Sequence, residues 1–295
     1  MTEPETTHRR LARMLGERRA LVVPGAANAL AARVIEDLGF EAVYLTGAGV
    51  SNTWLGMPDL GFTGLAEVVA HTFAIRQAVT LPIIVDADTG FGNAVNVHHA
   101  VRSLEQAGAS GIQLEDQLAP KKCGHFAGKE VVSRGEAVER VRAAVEAKRD
   151  PAFQVIARTD ARAVLGIDEA LWRAQAFAEA GADVVFVEAP TSRDEIARVM
   201  RHVDVPQVLN LVIGGKTPTI TLDEARAMRV GMVLYANVAL QAAVAGMQAA
   251  LGRLKADGMV DERTPGIASF DDRQRLVRKD FYDALERRHA TPGSD

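Results

Sequence analysis

The stretch PIIVDAD, residues 82–88, joins a short apolar run to two acidic residues at its carboxyl end. Seven further runs of this kind occur along the 295-residue chain, and each is followed by an amphipathic stretch rich in Ala, Glu and Arg. They are ALVVPG (20–25), AVYLTG (42–47), GIQLEDQ (111–117), FQVIARTD (153–160), DVVFVEA (183–189), QVLNLV (207–212) and MVLYANV (232–238). This alternation predicts eight βα units and a parallel sheet.

Stretches with helical periodicity lie between these runs, at residues 28–38, 64–78, 95–107, 134–148, 168–180 and 222–228. Three of them close with the similar phrases EDLGF, EQAGAS and AEAGAD. In each phrase the glycine suits a left-handed C-cap before the chain turns into a strand. Eight βα units favour an α/β fold of the (β/α)8 TIM-barrel type over an open doubly wound sheet.

Polar residues stand at the carboxyl ends of the apolar runs. They are Thr46 and Gly47, Asp86 and Asp88, Glu115 and Asp116, Arg158 and Asp160, Glu188, and Asn210. Any one of them alone is equally well explained as a helix cap or a bond to a loop. In a barrel these ends meet around one mouth, where active sites form, so their combination predicts an active site there.

The composition is typical of a globular protein, with 48% hydrophobic and 24% charged residues. The net charge of −4, with both signs interspersed, provides no basic surface for nucleic acid. The N-terminal stretch MTEPETTHRRLARMLGERRA lacks the apolar segment of a secretory signal, and no later stretch is suited to span a membrane. A single cysteine allows no internal disulfide, so we expect a cytoplasmic protein.

Residues 239–295 lie beyond the eight units. They combine a helical pattern at 239–255 with the charged stretch FDDRQRLVRKDFYDALERRH. We expect residues 1–295 to form a single barrel domain in which residues 239–295 are a C-terminal helical extension. The extension would pack on the outside of the barrel or on a neighbouring subunit, although its charges are equally typical of a solvated helix.

The stretch VDADTGFGN predicts a metal site. It places Asp86 and Asp88 on one face of a strand, where two carboxylates repel each other unless a cation or a proton separates them. Their oxygens suit Mg²⁺, with Mn²⁺ as a substitute, and Mg²⁺ takes few protein carboxylates because it keeps several waters. One acid would then bind the metal directly and the other through water. The alternative is that Asp88 only caps the following turn.

Two further stretches supply acids. In LEDQ, strand geometry points Glu115 and Asp116 to opposite faces. We expect Glu115 to face the mouth, where it could hold a metal-bound water, and Asp116 to anchor the following loop. Asp59, in MPDLG, is expected to act on the metal site without binding the metal directly, or only to stabilise the turn in which it lies.

Two features predict recognition of a carboxylate. The stretch LTGAGVSNTWLGMPDLGF follows the second strand and supplies a hydroxyl and glycine-flanked backbone amides, which can cradle an anion or can form only a turn. Arg158 would be a bidentate partner for a carboxylate, or would form an ion pair with Asp160 or another acid of the barrel.

The stretch PKKCGHFAGK, residues 120–129, contains the only cysteine, Cys123. A lone cysteine is most often a small buried apolar residue. Here Lys121, Lys122 and His125 would lower the pKa of the thiol, and glycines such as Gly124 permit the loop to move over a site. One cysteine and one nearby histidine do not make a zinc site.

Taken in order, the motifs LTGAGVSNTWLGMPDLGFT, VDADTGFGNAVNV, LEDQLAPKKCGH, IARTDA, FVEAP and NLVIGGKTP resemble those of the isocitrate lyase and phosphoenolpyruvate mutase superfamily. The resemblance runs from about residue 21 to residue 254 and is closer to the small members, such as 2-methylisocitrate lyase and 2,3-dimethylmalate lyase. It implies a (β/α)8 barrel, Mg²⁺ near the barrel mouth, and a homotetramer in which a C-terminal helix is exchanged between neighbours.

The resemblance also implies roles for individual residues. It assigns the metal to Asp86, Asp88, Asp59 and Glu115, the last two acting through water. It assigns the substrate to Thr46, Gly47, Ala48, Gly124, Glu188 and Asn210. It assigns catalysis to Cys123, as the acid–base group, and to Arg158. With His125 and Lys121, the neighbours expected to act on the thiol, these form the predicted catalytic set.

The activity implied is a Mg²⁺-dependent carbon–carbon lyase. It would cleave a substituted 2-hydroxy dicarboxylate or tricarboxylate, of the malate or methylisocitrate type, to pyruvate or another small oxo acid through an enolate. The alternatives are a carboxyphosphonoenolpyruvate phosphonomutase, an oxaloacetate hydrolase, and a barrel that binds an oxo acid without converting it. Because Val212 and Ile213 replace polar groups of many relatives, we expect the distal part of the substrate to be less charged than that of a tricarboxylate.

Overall fold

The eight predicted strands form one closed parallel barrel in a computed structural model, which describes residues 5–122, 124 and 128–290. The strands are β1 (Leu21–Ala26), β2 (Val43–Leu45), β3 (Ile83–Asp86), β4 (Gly111–Glu115), β5 (Gln154–Thr159), β6 (Val184–Val187), β7 (Gln207–Asn210) and β8 (Met232–Tyr235). Each strand pairs in parallel with the next, and β8 pairs back with β1. The predicted (β/α)8 fold is confirmed.

Ten α-helices accompany the strands within the described residues up to Val238. They are α1 (Thr7–Gly16), α2 (Ala29–Asp37), α3 (Gly47–Val50), α4 (Leu65–Ala78), α5 (Ala94–Gln106), α6 (Arg134–Glu146), α7 (Ala161–Leu165), α8 (Ile167–Glu179), α9 (Arg193–Met200) and α10 (Leu222–Ala227). A π-helical turn, Ser51–Leu55, continues α3.

Alternation along the strands brings polar side chains to the barrel mouth. Ile84 of β3 and Ile156 of β5 belong to the apolar cluster that fills the barrel interior. Two residues further on, at Asp86 and Arg158, the same inward face becomes polar. The interior is therefore a packed core at its lower end and a polar site at the carboxyl ends of the strands.

Helix α1 was not predicted and covers the opposite end of the barrel. Its Leu11, Met14 and Leu15 are buried in the interior cluster, and the ring of His8 bonds the carbonyl oxygen of Ala109 at 2.9 Å. The spacing of these three apolar residues is the helical signal that the charged N-terminal stretch obscured.

The three predicted glycine caps are confirmed. Gly39, Gly108 and Gly181 have φ values of 81°, 100° and 98°. At the first of them the N–H of Gly39 donates to Glu36 and the N–H of Phe40 to Ile35, which is the paired arrangement that closes a helix before a sharp turn. Each cap turns the chain directly toward the next strand.

The chain divides into two compact units, with the boundary between Val238 and Ala239, the residue at which the predicted extension begins. The C-terminal helices are α11 (Val238–Asp257), α12 (Phe270–Leu276) and α13 (Lys279–His289). None of the three contains a buried residue. Among the described residues, no helix has the length and apolar character needed to cross a membrane.

Candidate active site

A cavity of about 50 Å³ lies at the carboxyl ends of the strands. Among the predicted site residues it is lined by Thr46, Ala48, Asp59, Asp86, Glu115, Lys121, Gly124, Arg158, Glu188 and Asn210. Gly47 and Asp88 lie directly beside Asp86. Cys123 and His125 lie outside the described residues. The barrel thus brings together nearly all of the predicted residues that the structure describes.

The two acids of VDADTG converge beside the loop that follows β2. Asp86 ends β3, and its carboxylate accepts from the N–H of Gly47 at 3.3 Å and from that of Asp88 at 3.2 Å. A Cβ at position 47 would lie 3.3 Å from an oxygen of each acid. A side chain there would require the two carboxylates to shift by a few tenths of an ångström.

Lys121 lies between two acids. Its Nζ is 2.5 Å from Oδ1 of Asp59 and 2.8 Å from Oδ1 of Asp88, and its side chain is only 5% exposed. Burial opposes the charge of this ammonium group, but the carboxylates of Asp88 and Asp86 hold the pKa of Lys121 well above its usual value. Asp88 thus serves an ion pair and not merely a turn. The predicted action of Lys121 on the thiol stays a prediction, because Cys123 is outside the described residues.

The pKa values of Asp88 and Glu115 are both raised. Burial raises the pKa of Asp88 to about 7, although Lys121 opposes this shift. Burial likewise raises the pKa of Glu115 well above its usual value, against the effect of Arg158. Both shifts have the cause expected where several carboxyl groups share a buried space.

The acidic cluster fits a hydrated magnesium ion. Within the described ranges, no three acidic, histidine or cysteine side chains are close enough to hold a metal directly. Asp86 accepts only long hydrogen bonds, of 3.2 to 3.4 Å, and Oε1 of Glu115 is buried with no hydrogen-bond partner in the described part of the chain. Spare carboxylate oxygens and excess negative charge suit Mg²⁺ that keeps most of its waters.

Arg158 is surrounded by acids. Its Nη1 is 3.1 Å from Glu115, its Nε and Nη2 donate to Asp160 at 3.0 and 3.1 Å, and its Nε is 3.6 Å from Glu188. Burial opposes its charge, but Asp160, Glu115 and Glu188 hold the pKa of Arg158 well above its usual value. The ion pairs that the sequence offered as an alternative to substrate binding are present, and the guanidinium also lines the cavity.

Gly124 and Asn210 complete this side of the cavity. A Cβ at position 124 would lie 2.3 Å from Nη2 of Arg158 and 2.8 Å from Cγ of Glu188. Asn210 donates to Glu188 at 3.3 Å, and its own Oδ1 is buried without a hydrogen-bond partner among the described residues. A buried acceptor on a residue that lines the cavity is suited to a hydroxyl or a water of a bound ligand.

The second acid of LEDQ faces away from the cavity. The carboxylate of Asp116 accepts from Thr159 Oγ1 at 2.7 Å and from the N–H of Asp160 at 2.9 Å, and it lies 3.0 Å from Arg173. The backbone carbonyl of Asp116 accepts from Val132, where the loop returns. The predicted opposite orientations of Glu115 and Asp116 are therefore confirmed.

The loop after β2 presents backbone amides to the cavity. Thr46 caps α3 by accepting from the N–H of Gly49 at 3.3 Å, and its hydroxyl donates to Asn237 at 3.1 Å. The first N–H groups of a helix have no partner inside the helix. Here the N–H of Gly47 donates to Asp86, and Ala48 lines the cavity where the sequence predicts recognition of a carboxylate.

Two polar residues in the barrel wall were missed. The hydroxyl of Tyr44 donates to Gln113 at 2.6 Å, and Nε2 of Gln113 lies 3.4 Å from both Asp86 and Glu115. The signal was present, because Tyr44 and Gln113 stand two residues before Thr46 and Glu115 and so share their faces. Asn237, which also lines the cavity, follows β8.

Of the two apolar residues expected at the distal end of the substrate, only one borders the cavity. Val212 lines it, whereas the side chain of Ile213 is 55% exposed and is not among the lining residues. Phe186 and Leu234 add further apolar surface.

Comparison with known proteins gives concordant matches. The family model for phosphoenolpyruvate phosphomutase matches residues 11–255. The chain is 41% identical to 2,3-dimethylmalate lyase of Eubacterium barkeri, over 97% of this chain and 99% of that protein. It is 43% identical to 2-methylisocitrate lyase of Aeropyrum pernix, over 93% of this chain and 86% of that protein.

Two solved structures superpose on this chain over nearly its whole length. Oxaloacetate acetylhydrolase in complex with 3,3-difluorooxalacetate superposes with a TM-score of 0.89 and 35% identity, over 97% of each chain. Phosphonopyruvate hydrolase in complex with oxalate and Mg²⁺ superposes with a TM-score of 0.87 and 33% identity, over 97% of this chain and 99% of that one.

Proposed function

The chain belongs to the phosphoenolpyruvate mutase/isocitrate lyase superfamily, and from this premise we propose that it is a Mg²⁺-dependent carbon–carbon lyase. Its substrate is a substituted 2-hydroxy dicarboxylate or tricarboxylate, and its product is pyruvate or another small oxo acid. The observation that carries the proposal is the cavity where Asp86, Glu115 and Arg158 meet the amides after β2. Acids for a metal, a guanidinium and backbone donors are the groups that an enolate-forming cleavage needs.

Each group of the chain has a distinct task in this reaction. Asp86 would hold the metal, with Asp88, Asp59 and Glu115 acting on its waters. When bound, Mg²⁺ supplies a Lewis acid that stabilises negative charge on the oxo acid.

The polar groups around the cavity would bind and orient the substrate. The amides of Gly47 and Ala48, with the hydroxyl of Thr46, would bind its carboxylate, while Asn210 accepts from its hydroxyl. Arg158 would stabilise the charge that develops on the enolate oxygen, and the buried setting strengthens this interaction because little water competes.

Cys123 is the proposed acid that protonates the enolate carbon. Its chain neighbours Lys122 and Gly124 both line the cavity. A thiol with a pKa near the working pH suits such a proton transfer. Lys121 and His125 would lower the pKa of the thiol from its ordinary value toward the working pH.

The distal end of the substrate is expected to be weakly charged. Val212 and Phe186 line the cavity, and apolar side chains offer no polar partner to a further carboxylate. We therefore favour a substituted malate over 2-methylisocitrate as the substrate.

The oligomeric state and the cellular compartment remain predictions. The side chains of Val244, Met247, Leu251 and Leu254 in α11 are 44%, 56%, 62% and 42% exposed and follow helical spacing. Apolar surface of this kind supports a homotetramer in which the C-terminal helices pack against neighbouring subunits. The expectation of a cytoplasmic enzyme rests on the sequence.

The test is a panel of 2-hydroxy and 2-oxo acids, incubated with and without EDTA, with formation of oxo acid followed over time. We expect Mg²⁺-dependent release of pyruvate or a small oxo acid from a substituted malate, and Mn²⁺ should restore activity after EDTA. Turnover that persists without metal would contradict the proposal.

The second candidate is hydrolysis of oxaloacetate, favoured by the similarity to oxaloacetate acetylhydrolase over nearly the whole chain. The same panel includes oxaloacetate and distinguishes the two by the product formed. Phosphorus NMR on phosphonate substrates tests the mutase alternative, and ligand binding without turnover of any acid would indicate a pure binding protein.

A further inference from the structure

Lys129, the last residue of PKKCGHFAGK, is a buried cation next to the cavity. Its side chain is 1% exposed. Its Nζ lies 2.5 Å from Oδ1 of Asp160 and 2.5 Å from the carbonyl oxygen of Gly124. A lysine is almost never buried to this degree unless it is paired, so its role lies in these two contacts.

Asp160 connects Lys129 to Arg158. Its side chain is fully buried, and its two oxygens accept from Nε and Nη2 of Arg158 at 3.0 and 3.1 Å. Its backbone N–H donates to Asp116, which fixes its position at the end of β5. Burial opposes ionisation of Asp160, but Arg158 and Lys129 lower its pKa below the usual value.

The balance of charge around Arg158 depends on this lysine. Two cations, Lys129 and Arg158, face the three carboxyl groups of Asp160, Glu115 and Glu188. Without Lys129, Arg158 would be the only side-chain cation paired with Asp160 among the described residues. Asp160 would then hold Arg158 more strongly and would repel an incoming anion, and both effects are large where water is excluded.

We propose that Lys129 is a positioning residue that neutralises Asp160 and so keeps the guanidinium of Arg158 available to a dianionic ligand. The proposal rests on the proposed function, in which Arg158 binds the oxo acid or its enolate. Lys129 itself is not among the residues that line the cavity, so it acts through Asp160.

The probe is oxalate with saturating Mg²⁺, and its binding is measured by calorimetry so that the result does not depend on turnover. Lys129→Met should weaken oxalate about tenfold, the size of coupling expected within one buried ion-pair network. It should also raise the KM for the best acid of the panel more than it lowers kcat. Unchanged affinity and unchanged KM would overturn the proposal.

Lys148→Met is the matched control. Lys148 forms a partly buried pair with Asp183, at 2.9 Å, beside the amino-terminal end of β6 and therefore at the other end of the barrel. This variant loses a Lys–Asp pair without touching the network of Arg158, so its oxalate affinity should stay unchanged. An equal loss in both variants would mean that Lys129 acts only through stability, and the proposal would be wrong.

A second pair of variants keeps the test valid if Lys129→Met does not fold. With Asp160→Asn as the starting point, the added change Lys129→Met should alter oxalate affinity by no more than about twofold, because the charge to be neutralised is already gone. A further tenfold loss would overturn the proposal. If the wild-type protein neither binds oxalate nor converts any acid of the panel, the proposed function fails first, and this outcome is distinct from the others.

Discussion

Nζ of Lys121 lies 2.8 Å from Oδ1 of Asp88, and both side chains are buried at the barrel mouth. The sequence predicts Asp88 as a metal ligand and Lys121 as a neighbour of the thiol, and the fold pairs the two with each other. A protein cation thus already neutralises part of the acidic cluster. We expect the metal to be held chiefly at Asp86, with Asp88 acting through water.

The raised pKa of Asp88 predicts how stability of the metal-free protein depends on pH. Its pKa is about 7 in the folded chain and near 3.8 in the unfolded chain, so between these values the folded chain binds more protons. The free energy of unfolding should therefore fall as pH rises through this window, by at most about 1.4 kcal/mol per pH unit for this one group.

Denaturant unfolding in EDTA at pH 5, 6, 7 and 8 measures this effect. Asp88→Asn should flatten the decline relative to the wild type. Asp168→Asn, at a side chain that is 83% exposed, is the control and should leave the profile unchanged. Parallel profiles for the wild type and Asp88→Asn would contradict the expected shift.

Gly124 should tolerate no side chain. In Gly124→Ala the new Cβ would lie 2.3 Å from Nη2 of Arg158, so the guanidinium must move. A displacement of about 1 Å in a group that positions the substrate can cost about 100-fold in kcat/KM. Steady-state kinetics with the best acid of the panel measures the loss. Gly135→Ala, on the exposed first turn of α6 with nothing within 4 Å, is the control and should leave kcat/KM unchanged.

Val212 should influence the choice between dicarboxylate and tricarboxylate. The wild type should cleave a substituted malate with higher kcat/KM than 2-methylisocitrate. Val212→Thr should move the ratio toward the tricarboxylate by about tenfold, the value of one hydrogen bond to a charged group. Ile213→Thr, at a half-exposed side chain, should not change it. Equal efficiency of the wild type on both substrates would refute the expectation of a weakly charged distal end.

Cys123 should be needed for proton transfer and not for binding. Cys123→Ser is expected to lower kcat by about 100-fold to 10,000-fold, the contribution typical of a general acid, while binding of Mg²⁺ and oxalate is kept. Calorimetry and kinetics on the same preparation measure both quantities. Because the chain has one cysteine, a thiol reagent reports on this residue alone. Undiminished turnover would remove Cys123 from the mechanism.

Local periodicity predicted a large part of the site. The orientations of Glu115 and Asp116 followed from strand alternation, and the same rule applied two residues earlier would have found Gln113. Helix α1 escaped notice because its three arginines are interspersed with the three apolar residues that enter the barrel. Gln113 and helix α1 could both have been predicted from neighbouring residues, without knowledge of contacts between distant parts of the chain.

By itself the sequence determined the eight βα units, their glycine caps and the face on which each strand carries its polar end, because these depend on neighbouring residues only. Only the tertiary structure decided which buried charges meet. Lys121 pairs with Asp59 across 62 residues, and Lys129 pairs with Asp160 across 31. Such partners are fixed by closure of the barrel and the path of the loop after β4, and the spacing of residues along the chain carries no information about either.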